Sequence, residues 1–277
     1  MAVGRTNLSF IGCGVMAEAV IAGLLEQNLV SPAQIAASHP RAERRTDLEE
    51  KHGIRTFASN VEAASAFDDP DSIVVLCVKP QRLKGLLAEI GPSVLESQLI
   101  VSIVAGARID TISKALNNRY VVRAMPNTPS QIGAGMTAWT CSPEVSDERR
   151  KQVCEMLSAL GREIYVENEN MIDMATSLSA TGPTYIFMVM EALTDAGVHL
   201  GFSREISREL VQQTMLGSVL FAIDSHKHPA ELRNMVTSPG GTSAEAIYQM
   251  EKGALRTVLS KAVYAAYKKA VDLGSQK

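Results

Sequence analysis

The feature that most constrains this chain is the junction Phe10-Ile11-Gly12-Cys13-Gly14-Val15-Met16-Ala17. A short apolar run, Leu8 to Ile11, ends in small residues spaced G-x-G-x-x-A, and a helical pattern from Ala17 to Asn28 follows at once. Gly12 permits a tight turn, Gly14 lets backbone N–H groups approach a pyrophosphate, and the small Ala17 lets the helix pack closely on the strand. Strand, glycine turn and helix start in this order point to a dinucleotide-binding site.

The flanking pattern agrees. Gln34 to Ala37, Ile73 to Val78, Ile100 to Val104 and Tyr120 to Ala124 are short apolar runs bounded by Gly, Pro, Asp or Asn, which predicts strands. Several are apolar on both faces, and helical stretches such as Arg82 to Ile90 separate them, so the expectation is a parallel sheet with right-handed crossovers, a doubly wound α/β domain. Met136 to Thr140, a helix from Ser146 to Leu160 and a strand at Glu163 to Val166 should complete the sheet. The polar stretch Glu167-Asn168-Glu169-Asn170 then marks a boundary, giving domains at 1–168 and 169–277. Beyond it strand signals nearly vanish, and Leu255, Val258, Leu259, Ala262, Val263, Ala266 and Ala270 recur in helical steps. Tyr185 to Met190 is apolar all round, so its helix is expected to be buried on more than one side, with a partner chain completing the core.

Composition narrows the function classes. With 27 Lys and Arg against 30 Asp and Glu, the chain lacks the basic excess that nucleic-acid binding needs. Its apolar runs fall far short of the roughly 20 residues that span a bilayer, and Arg5 followed by Leu8 to Ile11 is too brief for a secretion signal. Cys13, Cys77, Cys141 and Cys154 have no paired spacing. The expectation is therefore a cytoplasmic, reduced protein with no nucleic-acid or membrane partner. His226-Lys227-His228 lacks ligand-spaced acids or cysteines, so no metal is expected.

An NAD-preferring site usually carries Asp or Glu about 20 residues beyond the glycines, to hold the ribose 2′-hydroxyl. No acid stands between Glu26 and Glu43. Instead the sequence reads Ser38-His39-Pro40-Arg41, followed by Arg44 and Arg45, which offers a hydroxyl and guanidinium groups to a 2′-phosphate. NADP(H) is thus favoured, with NAD(H) left open, and Arg44 and Arg45 read equally well as a solvated helix face. Val78-Lys79-Pro80 and Ala105-Gly106-Ala107 follow further strands, at the carboxyl ends where open α/β sheets bind ligands. Asn127, in Met125-Pro126-Asn127-Thr128-Pro129, could orient a nicotinamide or brace its own turn.

In the helical half, Thr237-Ser238-Pro239-Gly240-Gly241-Thr242-Ser243 precedes an amphipathic helix. Bare glycine backbone at a helix start suits a substrate carboxylate. Thr242-Ser243-Ala244-Glu245 also matches a capping box, which would occupy the Thr242 hydroxyl and leave Ser243 freer for a ligand.

Together, the glycine turn, Val78-Lys79-Pro80, Met125-Pro126-Asn127, Leu178 to Tyr185 and Ser238-Pro239-Gly240-Gly241-Thr242 resemble pyrroline-5-carboxylate reductases over nearly the whole chain. The resemblance implies an N-terminal Rossmann domain, an all-α C-terminal domain that interlocks with another subunit, and NAD(P)H-dependent reduction of 1-pyrroline-5-carboxylate to L-proline, the last step of proline biosynthesis. It implies a homo-oligomer built from dimers, a decamer among them. Carried over by motif, it assigns cofactor contacts to Ile11, Gly12, Cys13, Gly14, Val15, Met16, Ser38, Pro40, Asn60, Cys77, Val78, Lys79, Pro80, Ile103, Val104 and Ala105, to which Arg41 is added from the charge argument. Substrate contacts fall on Glu169, Gly240, Gly241, Thr242 and Ser243, with Thr242 and Ser243 as the catalytic candidates. Ser243 stands where the family usually has Thr, and Ser179-Ala180-Thr181-Gly182-Pro183 where it commonly has Ser-Gly-Ser-Gly-Pro. Met235 occupies a position often filled by Asn. Two other classes compete. A β-hydroxyacid or ketopantoate-type dehydrogenase would need a catalytic Lys or acid in the helical half, and neither Lys252 nor Lys261 sits in a supporting motif. A nucleotide-sensing protein without turnover would not need the 238–243 loop.

Overall fold

The computed structural model describes Val3–Ser275 other than Arg5 and Asp68, so Arg5, the charge ahead of the first apolar run, lies outside the described residues. The N-terminal half alternates β1 (Leu8–Ile11), α1 (Val15–Glu26), β2 (Ile35–Ser38), α2 (Ala42–His52), β3 (Arg55–Phe57), α3 (Asn60–Ala64), β4 (Ile73–Leu76), α4 (Pro80–Ile90), β5 (Leu99–Ser102), α5 (Ile109–Leu116), β6 (Val121–Met125), β7 (Gly135–Cys141), α6 (Asp147–Ser158) and β8 (Gly161–Tyr165). Then come α7 (Asn170–Ala175), a π-helical turn at Thr176–Ala180, α8 (Gly182–His199), α9 (Arg204–Ser225), α10 (Pro229–Met235), α11 (Thr242–Lys252) and α12 (Leu255–Ser275).

The sheet runs β3-β2-β1-β4-β5-β6-β7-β8, parallel except where β7 pairs antiparallel with β6. Its central strands β1, β2, β4 and β5 are buried along their whole length because both faces are covered. Leu8, Phe10, Ile73, Val75 and Val101 face one core, with Leu24 of α1 and Leu157 of α6. Ile11, Val74, Leu76 and Ile100 face the other, with Leu86 of α4 and Ile112 of α5. The antiparallel pairing departs from the all-parallel expectation, and chain length explains it. The segment joining β6 to β7 holds only one short helical turn, Thr128–Ile132, whereas a parallel return needs a crossover of a dozen residues or more.

The chain divides into two compact units, one of residues 1–181 with 266–277 and one of 182–265. In the second, α8 and α9 lie side by side, and Gly197 lets them meet. A Cβ there would stand 2.7 Å from the Ser207 hydroxyl. The all-round burial expected of Tyr185 to Met190 is not met within the chain. Ile186, Phe187 and Met188 are 50%, 59% and 65% exposed, with no covering element among the described residues of their own unit.

α1 and α2 are tied at one carboxylate. Glu18 binds Lys51 at 2.8 Å, His52 at 3.2 Å and Arg44. Burial alone would raise its pKa, but these hydrogen bonds hold it down to about 2, against an ordinary value of 4.5. A depressed folded value makes the stabilisation fully present above the unfolded value, and it is lost as pH falls through the folded one. Glu18→Gln should therefore cost about 1 to 3 kcal/mol at pH 7. In urea titrations the gap to the native protein should close as pH drops from 4.5 toward about 2; a gap independent of pH would remove Glu18 ionisation as its cause.

Candidate active site

The strand order reverses between β1 and β4, and at the carboxyl ends there a cleft of about 810 Å³ opens, lined by Gly12, Gly14, His39, Pro40, Arg41, Asn60, Cys77, Val78, Lys79, Arg82 and Glu89 among others. The two turn glycines serve different ends. Gly12 has φ +89°, and a Cβ on it would stand 2.6 Å from Val78 Cγ1, so the chain crosses β4's exit loop there. At Gly14 a Cβ would meet no atom within 4 Å, so this residue's bareness answers to no packing need and leaves the N-terminus of α1 approachable. That is the cradle a dinucleotide pyrophosphate requires.

Ser38, expected to offer its hydroxyl to a 2′-phosphate, is fully buried instead. Its Oγ accepts the Gly12 N–H at 3.0 Å and donates to Asn60 Oδ1 at 2.8 Å, and Asn60 Nδ2 donates to Glu89 Oε2 at 3.0 Å. Ser38 shapes the turn from behind. The three arginines also separate. Arg44 is drawn to Glu18, and Arg45 Nη1 donates to the carbonyls of His39 (2.9 Å) and Pro40 (3.1 Å), so neither forms a purely solvated face. Arg41 is exposed, lines the cleft and makes no ion pair among the described residues. Burial, helped by the charges of Arg41, Arg44 and Arg45, pushes His39 below its ordinary pKa, so the cleft holds a neutral imidazole. Burial also raises the Cys13 thiol to about 12 and the Cys77 thiol well above its usual value, which leaves neither as a nucleophile.

The remaining cofactor candidates fall into layers. Ile11, Cys13 and Val104 are buried behind the surface, Met16 and Ile103 are half-buried, and Val15 is exposed at the start of α1. Pro80 and Ala105 line a second cavity of about 390 Å³ with Gly106, Ala107 and Arg108. Asn127 braces rather than reaches out. Its Oδ1 accepts the Met136 N–H at 2.9 Å, and its Nδ2 reaches the Ser179 carbonyl and hydroxyl at 3.4 Å.

In the helical unit, Pro239 and Gly240 (φ +70°) make a turn closed by Gly241 N–H to the Ser238 carbonyl at 3.0 Å. A Cβ on Gly241 would stand 2.5 Å from Ser238 Oγ. This turn makes Gly241 the N-cap of α11, with no side-chain cap, and places Thr242 at the first helical position. The expected capping box is thereby corrected, and Glu245 accepts from Gln249 at 3.0 Å instead of reaching back. Thr242 is exposed and Ser243 half-buried, and neither hydroxyl is spent on capping the helix. Their N–H groups, like all first-turn donors, lack acceptors within the helix. The loop therefore presents hydroxyl and amide donors together, the chemistry a small carboxylate needs.

Comparison with known proteins brings the two units under one family. Residues 169–273 match the model for pyrroline-5-carboxylate reductase dimerisation, and residues 7–106 match that for coenzyme F420-dependent NADP oxidoreductases. The pyrroline-5-carboxylate reductase of Pseudomonas aeruginosa is 39% identical over 98% of this chain and 97% of its own. That of Synechocystis is 36% identical over 98% and 99%. The crystal structure of Plasmodium falciparum pyrroline carboxylate reductase, solved with NADP bound, superposes with a TM-score of 0.89 at 31% identity, covering 99% of this chain and 100% of that one. This chain belongs to the pyrroline-5-carboxylate reductase family.

Within this reductase family frame, Glu169 departs from expectation. Its carboxylate accepts the Ile109 N–H at 2.9 Å and Arg123 Nη1 at 3.2 Å, with Arg108 3.7 Å away. Arg123, fully buried, also binds Asp173 at 2.5 Å. Glu169 is committed to fastening β6, α5 and α7 in one unit. Sequence reasoning missed Arg82 and Glu89 in the cleft. Arg82 had a signal, since it stands in the first turn of α4 just past Lys79-Pro80, whereas Glu89 reaches the site through Asn60 and had none. Among the described residues no group of three His, Cys, Asp or Glu is placed to hold a metal ion, and no helix is long and apolar enough to cross a membrane.

Because Thr242 does not cap α11, Thr242→Ala should leave stability within about 0.5 kcal/mol of the native protein, not the roughly 1 kcal/mol a lost cap costs. Thermal melts decide this. A loss of a full cap's worth would restore the capping role.

Proposed function

We propose that this chain reduces 1-pyrroline-5-carboxylate to L-proline, with NADPH preferred over NADH, as the closing step of proline biosynthesis. The observation that carries the reading is family identity over both halves at once, so that the glycine turn and the bare 238–243 loop belong to one enzyme. Residues 1–168 form the nucleotide domain in this reading, and 169–277 serve substrate binding and subunit pairing. The dimerisation-model match and the exposed apolar residues of α8 and α9 support a homo-oligomer with a dimer as its unit. A decamer of five such dimers, a cytoplasmic setting and the absence of nucleic-acid or membrane partners complete it.

The cofactor fits the cleft it is assigned. The α1 N-terminus and Gly14 suit the pyrophosphate, Arg41 suits a 2′-phosphate, and Asn60, Pro40 and the Cys77–Lys79 segment flank them. When bound, NADPH supplies the hydride, which adds to the C=N carbon while the nitrogen ends with a proton. The amide N–H groups of Gly240 and Thr242 hold the substrate carboxylate, the Gly241 N–H being taken by the Ser238 carbonyl, and the Ser243 hydroxyl bonds the ring nitrogen. A neutral alcohol is a poor full acid at pH 7, so Ser243 orients a nitrogen already protonated or relays a proton from water.

Two measurements test this. In assays following NADPH loss with the imine, Ser243→Ala should lower kcat/KM by the worth of one hydrogen bond, about 0.5 to 3 kcal/mol, with cofactor affinity unchanged. Full activity in that variant would remove the contact. Arg41→Ala should lower the NADPH-to-NADH ratio of kcat/KM by about fivefold or more, as expected for a guanidinium on phosphate. A native preference for NADH would defeat the cofactor reading outright.

A further inference from the structure

The loop after β5 is touched by the far end of the chain. Gly106 has φ +73°, and a Cβ on it would stand 2.9 Å from the carbonyl carbon and Cβ of Leu273 and 3.0 Å from the Gly274 nitrogen. The contact is reciprocal: a Cβ on Gly274 would stand 3.3 Å from the Gly106 carbonyl oxygen and 3.6 Å from Arg108 Nε. Backbone therefore lies on backbone. At Gly14 the missing side chain leaves space open, whereas at Gly106 protein fills it. Just beyond, Glu169 accepts the Ile109 N–H at 2.9 Å, and Arg108 Nη2 donates to Asn170 Oδ1 at 3.1 Å. The segment from Ala105 to Ile109 is thus pinned at one point by the end of α12 and at another by the start of α7, all inside one compact unit.

We infer that Leu273 and Gly274 are positioning residues for the cofactor's nicotinamide half, acting through the Gly106 loop. This rests on the reading that Ile103 to Ala105 meets the cofactor. The adenosine half is assigned elsewhere, to the cleft of Gly14 and Arg41, whose lining includes neither the loop nor the C-terminal segment. Freeing the loop should accordingly loosen one half of the cofactor and spare the other. A strut that merely kept the domain folded would affect both.

The test compares the full-length protein with a chain ending at Val271, with Gly106→Ala and with the two changes combined. Calorimetry measures binding of NADPH and of adenosine 2′,5′-bisphosphate, which lacks the nicotinamide. The shortened chain and Gly106→Ala should each bind NADPH about tenfold more weakly, while affinity for the bisphosphate stays within about twofold. The combination should fall short of the product of the two single effects, because the added methyl no longer meets Leu273 and only the strain of an alanine at φ +73° remains. Unchanged NADPH affinity in the shortened chain, or loss of bisphosphate binding in step with NADPH, would overturn the inference. If the full-length protein bound the bisphosphate as tightly as NADPH, the inference would fall at its premise, that the cofactor meets Ile103 to Ala105 with the half the bisphosphate lacks.

Discussion

The nucleotide half depends on one buried hydroxyl. Ser38 ends β2 with no exposure to solvent, yet its oxygen satisfies the Gly12 N–H, and its own proton goes to Asn60. An unpaired N–H at that depth would cost on the order of 1 to 3 kcal/mol, and the turn it belongs to already holds a positive φ at Gly12. The tie fixes the turn relative to β2, while Val78 closes on Gly12 from β4. The mouth of the cleft is consequently set by its own chain, and Gly14 is left as the one turn glycine with open space beside it. Preorganisation of this kind keeps the ordering cost of the loop from being charged to ligand binding.

Much of this was legible in the sequence because α/β domains write their layers as alternating periods. β1 has the predicted bounds, and β2, β4, β5 and β6 fall within two residues of theirs, because each is a short, mostly apolar run between chain breakers. β3 escaped notice, since Arg55-Thr56-Phe57 has three residues, lies at the sheet edge and carries no apolar run. The direction of β7 was equally hidden, because a strand's pattern is the same read either way and only the short link before it decides. In the site, the sequence located the Gly12–Ala17 turn and the cleft-lining Arg41, Asn60 and Lys79 but could not say which side chains were already spent. Ser38, Arg44, Arg45 and Asn127 all have the right chemistry for a ligand, and all of them serve the protein's own backbone or a carboxylate.

The helical half shows the same limit at a helix start. The letters Thr-x-x-Glu satisfy a capping box, but a cap is a conformation before it is a residue type. Here the Pro239-Gly240 turn brings the chain into α11 one position early, so Gly241 takes the cap and Thr242 is already helical. Hydrophobic period was similarly half-informative. It located α8 and α12 as helices, yet it cannot name what covers an apolar face. The exposed Ile186, Phe187 and Met188 form the kind of surface that a monomer rarely leaves bare.

Charge burial explains why the sheet and the first helix beyond it act as one body. Arg123 and Asp173 are both almost wholly hidden, and such a pair gains little over an apolar replacement because desolvation offsets its attraction. Its value lies in specificity, since removing Arg123 leaves Asp173 with only Arg108 at 3.5 Å, and removing Asp173 leaves Arg123 with only Glu169. Glu169 extends the pair outward to Ile109 and Arg108, so β6, α7 and the start of α5 can hold only one mutual arrangement. The loop from Ala105 to Ala107 lies between that fixed cluster and the end of β5. A loop of bare, small residues would otherwise be among the least restrained segments of the fold. The charged cluster supplies restraint from one side, and the close approach of Leu273 and Gly274 to Gly106 supplies it from the other.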